Sequence, residues 1–313
     1  MARWSITLLI AGSEALGPSK KNQIDAFSMH IADVQDADLD QLHALSISVG
    51  WPHRGEDWQF LREVGEGVVT NDEIGRIMGS AMWYRQAESL ATIGMVITSP
   101  RLQTQGTGLW LMEYALNELE GCNLRLNATR AAQRLYHSLG FTPEKTVFQC
   151  QGVVKDGAGA ACDAPQGDLR VLTKDDLPAI TALDGAAFGV ERAGLIDKLL
   201  AQSVGYGLYR DGVLTAFALC RRFGRGHVVG PIVASNDADA IDVLSPHIKE
   251  HEGRFLRLDT HFESGDFAHL VTGSGMSVFD TVLTMSLGER LRKFGTDVVE
   301  GPVTYSLVSQ TLG

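Results

Sequence analysis

Apolar and polar positions along the chain fall into two alternating rhythms. Met29-His30-Ile31 reads as a short strand, and from about Asp36 to Ser48 the apolar residues Leu39, Leu42, Leu45 and Ile47 recur at helical spacing. Gly67-Val68-Val69 and Arg76 to Trp83 flank a polar turn at Asn71-Asp72-Glu73 and predict a hairpin. A further apolar strand around Gly94 to Thr98 enters a polar loop that ends at Gly108. A helical pattern then runs to about Leu119, followed by a strand at Leu124-Arg125-Leu126.

The same succession returns later in the chain. Leu169 to Leu172 predicts a strand, and Lys174 to Phe188 predicts a helix with Asp175 and Asp176 in its first turn, where the helix dipole favours negative charge. Tyr206 to Tyr209 and Val213 to Leu219 flank the hairpin turn Arg210-Asp211-Gly212. Val228 to Ala234 matches the Gly94 strand, and Leu256-Arg257-Leu258 matches Leu124-Arg125-Leu126. The chain is thus a duplication. The second copy is about four residues shorter between those last two strands, where it carries Ala234-Ser235-Asn236-Asp237-Ala238-Asp239, with two acids and no glycine. That loop is expected to repel phosphate. One nucleotide site is expected, in the first copy, with the second copy kept for shape or substrate binding. The predicted division is an extension at 1–26, a first domain at 27–151, a Gly/Ala/Asp-rich linker at 152–167 and a second domain at 168–313.

Composition bounds the class. With 313 residues, 44% hydrophobic and 21% charged, the chain is long enough for two soluble domains. A formal net charge of −11 argues against nucleic acid and against an anionic membrane surface as partners. Cys122, Cys150, Cys162 and Cys220 form no C-x-x-C pair, and no His cluster has zinc spacing, so no metal is expected and a reducing, cytoplasmic compartment fits. Arg3 followed by Trp4 to Ala11 is too short an apolar run for a signal peptide, and no run is long enough to span a membrane.

The loop before Gly108 carries the candidate chemistry. Gln103-Thr104-Gln105-Gly106-Thr107-Gly108 lies between a strand and a helix, where unpaired N–H groups of the first helical turn converge and glycines let a pyrophosphate approach the main chain. A tight strand-to-helix turn without a ligand would carry the same glycines. The dinucleotide fingerprint is not met: no third glycine follows, and the strand Asn123 to Asn127 ends without an acid.

Together with Ala131-Ala132-Gln133-Arg134-Leu135-Tyr136-His137-Ser138-Leu139-Gly140-Phe141, this loop resembles the GNAT superfamily of acyl-CoA-dependent N-acetyltransferases over about Phe27 to Gln151. The whole chain resembles a tandem-GNAT protein with a degenerate second domain. The resemblance implies an α/β fold of the mixed α+β kind: two tandem domains, each a twisted, mostly antiparallel sheet flanked by helices. In each, a fourth and a fifth strand splay to admit pantetheine, here Thr92 to Thr98 and Leu124 to Asn127. It implies acetyl-CoA or another acyl-CoA as co-substrate, the pyrophosphate on Gln103, Thr104, Gln105, Gly106, Thr107 and Gly108, and pantetheine along Met95, Val96 and Ile97. Gly94 is either the bulge that opens the strands or a site of tight packing.

Transfer to an amine needs a proton acceptor, an N–H donor to the thioester oxygen and a proton for the leaving thiolate. The resemblance assigns the donor to the amide near Val96 and the acid to Tyr136. The base candidates are Glu88, ahead of the fourth strand, and His53, in the polar and aromatic loop Trp51 to Trp58 where the family binds its acceptor. His30 is a strand histidine. Family members often carry Asn where this chain has Thr129, with Asn127 two positions earlier. Arg221, Arg222 and Arg225 form a basic hairpin tip, facing an acidic acceptor group or simply solvent, and the second domain is placed to cover the acceptor cleft. The expected function is acyl transfer to a small-molecule amine. The alternatives are a non-catalytic acyl-CoA-binding or sensing protein, and a nucleotide-dependent enzyme of another class.

Overall fold

The computed structural model describes residues 21–24, 27–160, 165–290 and 301–313. The early apolar run at Trp4 to Ala11, nearly all of the expected extension, and Cys162 lie outside the described residues. The first half runs β1 (Lys21–Ile24), β2 (Phe27–Asp33), α1 (Leu39–Ser48), α2 (Gly55–Val64), β3 (Glu66–Asn71), β4 (Ile77–Ala87), β5 (Leu90–Thr98), α3 (Thr107–Glu118), β6 (Asn123–Ala128), α4 (Gln133–Ser138) and β7 (Thr142–Val153). The second runs β8 (Asp168–Val171), α5 (Leu177–Phe188), α6 (Ala193–Ala201), β9 (Val204–Arg210), β10 (Val213–Phe223), β11 (Gly226–Ala234), α7 (Asp237–Glu250), β12 (Phe255–Thr260), α8 (Asp266–Gly273), β13 (Ser277–Leu287) and β14 (Val303–Ser306).

Local rules account for most boundaries. Asp38 caps α1 by accepting from the Gln41 N–H at 2.9 Å. The predicted helix from Asp36 is split, with a 3-10 turn at Val34–Asp36 preceding α1. Trp51 to Trp58 is a loop only up to Arg54. The polar run Arg54-Gly55-Glu56-Asp57 opens α2, because the Asp57 carboxylate reaches back to the Arg54 N–H at 2.8 Å. Trp58 is then fully buried, its indole N–H donating to Ser46 Oγ at 2.8 Å. α6 is the matching helix of the second half, also not foreseen.

The two halves share one mostly antiparallel sheet, mixed with helices on both faces. Its order is β1-β2-β3-β4-β5-β6-β13-β7-β12-β11-β10-β9-β8, with β14 added on β11. Among the described residues only β5 with β6 and β11 with β12 are parallel. At the centre each half gives a strand to the other: β13 pairs with β6, β7 pairs with β12, and β7 and β13 pair with each other. The expected linker therefore begins late, since β7 holds its register through Val153. On one face α3 and α4 cover the first half and α7 and α8 the second, each over its own core. On the other face α1, α2, α5 and α6 pack into a single core common to both halves, which includes Leu42, Trp58, Ile180 and Leu199. Exchange of strands and a common core mean that neither half buries its apolar surface alone. No helix among the described residues is long and apolar enough to cross a membrane.

Candidate active site

The β5–β6 ladder stops halfway. Leu90 to Ile93 pair with Asn123 to Leu126, and beyond Ile93 the strands part. On its other side β5 carries a bulge: Ser80 pairs with Ile97 and Met82 with Gly94, which sets Met95 and Val96 against Ala81 alone. Met95 has φ +50°, and its carbonyl accepts from Ser80 Oγ at 2.7 Å. Met95 and Val96 thus have no register partner on either side. Gly94 is not itself the bulge. It is required by packing, because a Cβ there would lie 2.5 Å from Thr311 Cγ2.

Beside this opening lies the glycine loop, eight residues from Ser99 to Gly106. Thr104 and Gly106 have φ of +69° and +88°, and Gly106 is the cap residue of α3 without a side-chain cap. Space around the missing Gly106 Cβ is open to 4 Å. The first helical N–H groups have no intrahelical acceptor. The Thr107 hydroxyl is buried with no partner, as a group that awaits a ligand would be.

The second half builds the same corner and closes it. Its loop is reduced to Ser235 and Asn236, and the Asn236 side chain caps α7 by accepting from Asp239 N–H at 2.9 Å. The two loop acids are consumed internally: Asp237 accepts from Tyr305 OH and from the Phe267 N–H, and Asp239 pairs with Arg210 at 2.6 Å. The opening on β11 is filled by β14, with Ile232 opposite Ser306, Val233 opposite Thr304 and Ala234 opposite Val303. Those β11 positions correspond to Val96, Ile97 and Thr98 of β5.

After β14 the chain runs into the first half. Gln310 O accepts from Asn127 Nδ2 at 2.7 Å, and Gln310 Nε2 donates to Gln149 and Asp259, each at 3.1 Å. Arg192, held by Asp184 at 2.7 Å, donates to the carbonyls of Leu312 and Gly313. This segment floors a cavity of about 220 Å³ built by both halves. The first half gives Trp51, His53, Gly94, Met95, Asn127 and Thr129, and the second gives Phe223, Arg225, Arg257, Phe279 and Asp280. The β10–β11 tip is fastened there by the Gly224 N–H, which donates to Asp57 Oδ2 at 3.0 Å. Burial alone would raise the Asp57 carboxyl, but its bonds from Arg54 and Gly224 hold it below its ordinary value.

The predicted residues separate clearly. His53 is buried in the cavity wall, edge-on to Phe223 at 5.2 Å, with its Nδ1 lacking any partner. Burial, aided by Arg257, lowers its pKa to about 4, so it is a neutral imidazole. Glu88 corrects the expectation: it sits exposed in the β4–β5 turn, at the end of β5 opposite the opening, and does not line the cavity. Tyr136 lies on α4 against Phe141, and burial pushes its phenol well up, so it stays protonated. It does not line the cavity. The basic tip is corrected at one residue only, since Arg222 and Arg225 are exposed and Arg225 lines the cavity. Arg221 is buried, donating to the carbonyls of Gly230 and Val308 at 2.9 and 2.8 Å, with its pKa lowered by burial to about 10. His30 is an exposed residue of β2. Among the second-half contributors, Arg225 was marked by the basic hairpin tip; Phe223, Arg257, Phe279 and Asp280 gave no local signal, because strand exchange and the returning segment bring them there.

Two family models described as "Acetyltransferase (GNAT) domain" match residues 59–155 and 180–298, together well over half of the chain. The chain belongs to the GNAT acetyltransferases. It is a tandem GNAT protein. "Uncharacterized N-acetyltransferase YitH" of Bacillus subtilis (strain 168) is 28% identical over 274 residues, covering 84% of this chain and 91% of that one. Among solved structures, a putative acetyltransferase from Pyrococcus horikoshii superposes with a TM-score of 0.72 at 15% identity, over 94% of this chain and 99% of that one. A tandem GNAT protein from the clavulanic acid biosynthesis pathway does so at 0.60 and 12%, over 84% and 99%. At these identities the likeness shows the fold. Membership in the family makes the protein an acetyltransferase, and family members take the acetyl group from acetyl-CoA.

Proposed function

We propose that the first half carries the transferase site, and that it moves an acetyl group from acetyl-CoA to the amine of a small molecule by direct attack. One observation carries this reading: an open, bulged stretch of β5 meets an uncapped, glycine-lined helix start, while the second half closes both features with its own chain. The donor set suits the co-substrate. Amides from Gln103 to Gly108, with the Thr107 hydroxyl, would hold the pyrophosphate, and the unpaired edge at Met95, Val96 and Ile97 would hold pantetheine.

In the proposed step the amine nitrogen bonds to the thioester carbon as the C–S bond breaks. The Val96 N–H steadies the charge that grows on the carbonyl oxygen. The amine proton passes to His53, directly or through water, because it is the neutral imidazole in the cavity wall; burial makes it a weak base, so the amine must enter the step already uncharged. Tyr136, kept protonated by burial, is given the role of protonating the leaving thiolate on the strength of the family resemblance, since it stands outside the acceptor cavity. The size of the cavity favours a small acceptor, since it is below the ~300–1,000 Å³ usual for drug-sized ligands.

The test combines acetyl-CoA calorimetry with release of free thiol across an amine panel. Binding with turnover is expected, with kcat reduced about a hundredfold in Tyr136→Phe. Binding without turnover on any amine, unchanged in Tyr136→Phe, would instead favour an acyl-CoA sensor. Failure to bind acetyl-CoA would end the proposal.

A further inference from the structure

The wall that the second half lends to the cavity has a chemical character of its own. Phe223 and Arg225 come from the β10–β11 tip, and Phe279 and Asp280 come from a bulge in β13. Phe279 is 65% exposed, although it belongs to a strand at the centre of the sheet. Trp51 of the first half faces the same space. At this point β13 has β7 on one side only, since β6 pairs with it from Leu283 onward, and an aromatic left this open there is a surface without its partner.

The charges are also incomplete. Arg257 is neutralised by Asp259 at 2.9 Å. Arg225 is exposed and has no ion pair among the described residues, and neither has Asp280. Both line the cavity, yet they do not pair with each other. A cation and an anion without ion-pair partners among the described residues, Asp280 accepting only from the Thr281 N–H at 2.7 Å, suit a ligand that carries both signs at the mouth of an aromatic cavity in a protein of net charge −11.

We infer that the acceptor is a zwitterionic amine of the aromatic amino-acid class, its carboxylate on Arg225 and its ring among Trp51, Phe223 and Phe279. The inference rests on the acetyl-transfer reading given above. Asp280 attracts the ammonium form at the mouth, and the amine then loses its proton on the way to the His53 end of the cavity. A fork of N–H donors such as Arg225 can take a carboxylate through two parallel charge-assisted bonds, which no neutral group of the acceptor can match.

Matched substrates test this with the full chain and saturating acetyl-CoA: phenylalanine against phenethylamine and phenylalaninamide, and tryptophan against tryptamine, followed by thiol release. The acid-bearing member is expected to be preferred about tenfold to a hundredfold in kcat/KM. Arg225→Gln should bring that ratio towards one, and Arg225→Lys should retain much of it. Phe279→Ala should raise KM severalfold with kcat held. Equal use of the carboxylate-free amines, or a ratio unmoved by Arg225→Gln, overturns the inference. So does turnover confined to other amines, which would leave the transfer reading standing. Acetyl-CoA that fails to bind in calorimetry strikes the transfer reading itself, and this inference falls with it.

Discussion

The two halves of this tandem GNAT protein are built to one plan and differ at one corner. In the first, eight loop residues separate β5 from α3, Gly106 leaves the helix start bare, and β5 bulges away from β6. In the second, two residues separate β11 from α7, Asn236 caps the helix, and β14 lies on β11. A sheet edge and a helix end each present polar backbone groups that must find partners. The second half satisfies them from within. The first leaves them for something else, so the difference marks where a ligand belongs.

The largest expected effect breaks the open corner. Gly106→Val forces a β-branched residue into a left-handed position and puts bulk where phosphate oxygens would lie. Loss of two charge-assisted hydrogen bonds, at about 1.5–3 kcal/mol each, corresponds to a fall of about a hundredfold or more in kcat/KM for acetyl-CoA. Steady-state kinetics would read this, and a change below threefold would count against the loop as the pyrophosphate seat.

Next in size is the plug of the second half. Thr304→Pro removes a strand N–H opposite Val233 and should cost about 2–4 kcal/mol of stability in urea unfolding. The stoichiometry of CoA binding should stay at one per chain, since Asp237 and Asp239 remain at the α7 end. A second equivalent of CoA bound by this variant would show that β14 alone separates the halves.

Most of this difference could be read in the residues. The glycines, the offset between copies and the two acids at 237 and 239 pointed to one open and one closed corner, because helix starts and phosphate seats depend on local chemistry. Tyr136 came from the family resemblance and His53 from the polar and aromatic loop Trp51 to Trp58. What could not be read was pairing at long range. The exchange of β7 and β13 and the return of residues 307–313 to the first half follow from which edges lie free once the sheet forms, and nearby residues do not encode that. Of the acceptor wall only Arg225 and the covering role of the second half were legible; Phe279 and Asp280 were not, for the same cause. Glu88 was misplaced because it precedes β5, whereas the strands part only beyond Ile93, towards the other end of that strand. α2 was missed because its first turn is polar and its buried Trp58 serves a core built by both halves.

Acid should separate the halves by a smaller amount. His247 and His227 of the second half have pKa values lowered to about 4, chiefly by burial. Their folded pKa lies below the unfolded value, so the unfolded chain takes up more protons between about pH 6.5 and 4. Stability is therefore full above pH 6.5 and is lost as the pH falls towards 4, by about 2 kcal/mol by pH 5 for the deeply buried His247 and by less for His227, which water partly screens. His53 adds a like amount in the first half, so the second half, with more of them, should open first. Hydrogen exchange at pH 7 and 5 should show α7 losing protection before α3, and His247→Gln should reduce the difference. Equal loss in both helices would remove the contrast.

The finest test compares the two caps. Gly106 gives α3 no side-chain acceptor, whereas Asn236 accepts from the Asp239 N–H at 2.9 Å. Replacing a capping Asn by Ala costs about 1 kcal/mol, because one N–H at the helix start returns to water. Asn236→Ala should therefore lower the melting temperature by a few degrees and leave acetyl-CoA affinity as it was. The same co-substrate should raise the melting temperature of both proteins equally, since it binds at α3 and stabilises the folded chain by mass action. If α3 lacks a cap because a phosphate serves as one, acetyl-CoA should also slow hydrogen exchange at the first turn of α3 and leave the first turn of α7 unaffected. Protection of α7 by the ligand, or weaker binding in Asn236→Ala, would mean that the capped corner still takes part in holding CoA.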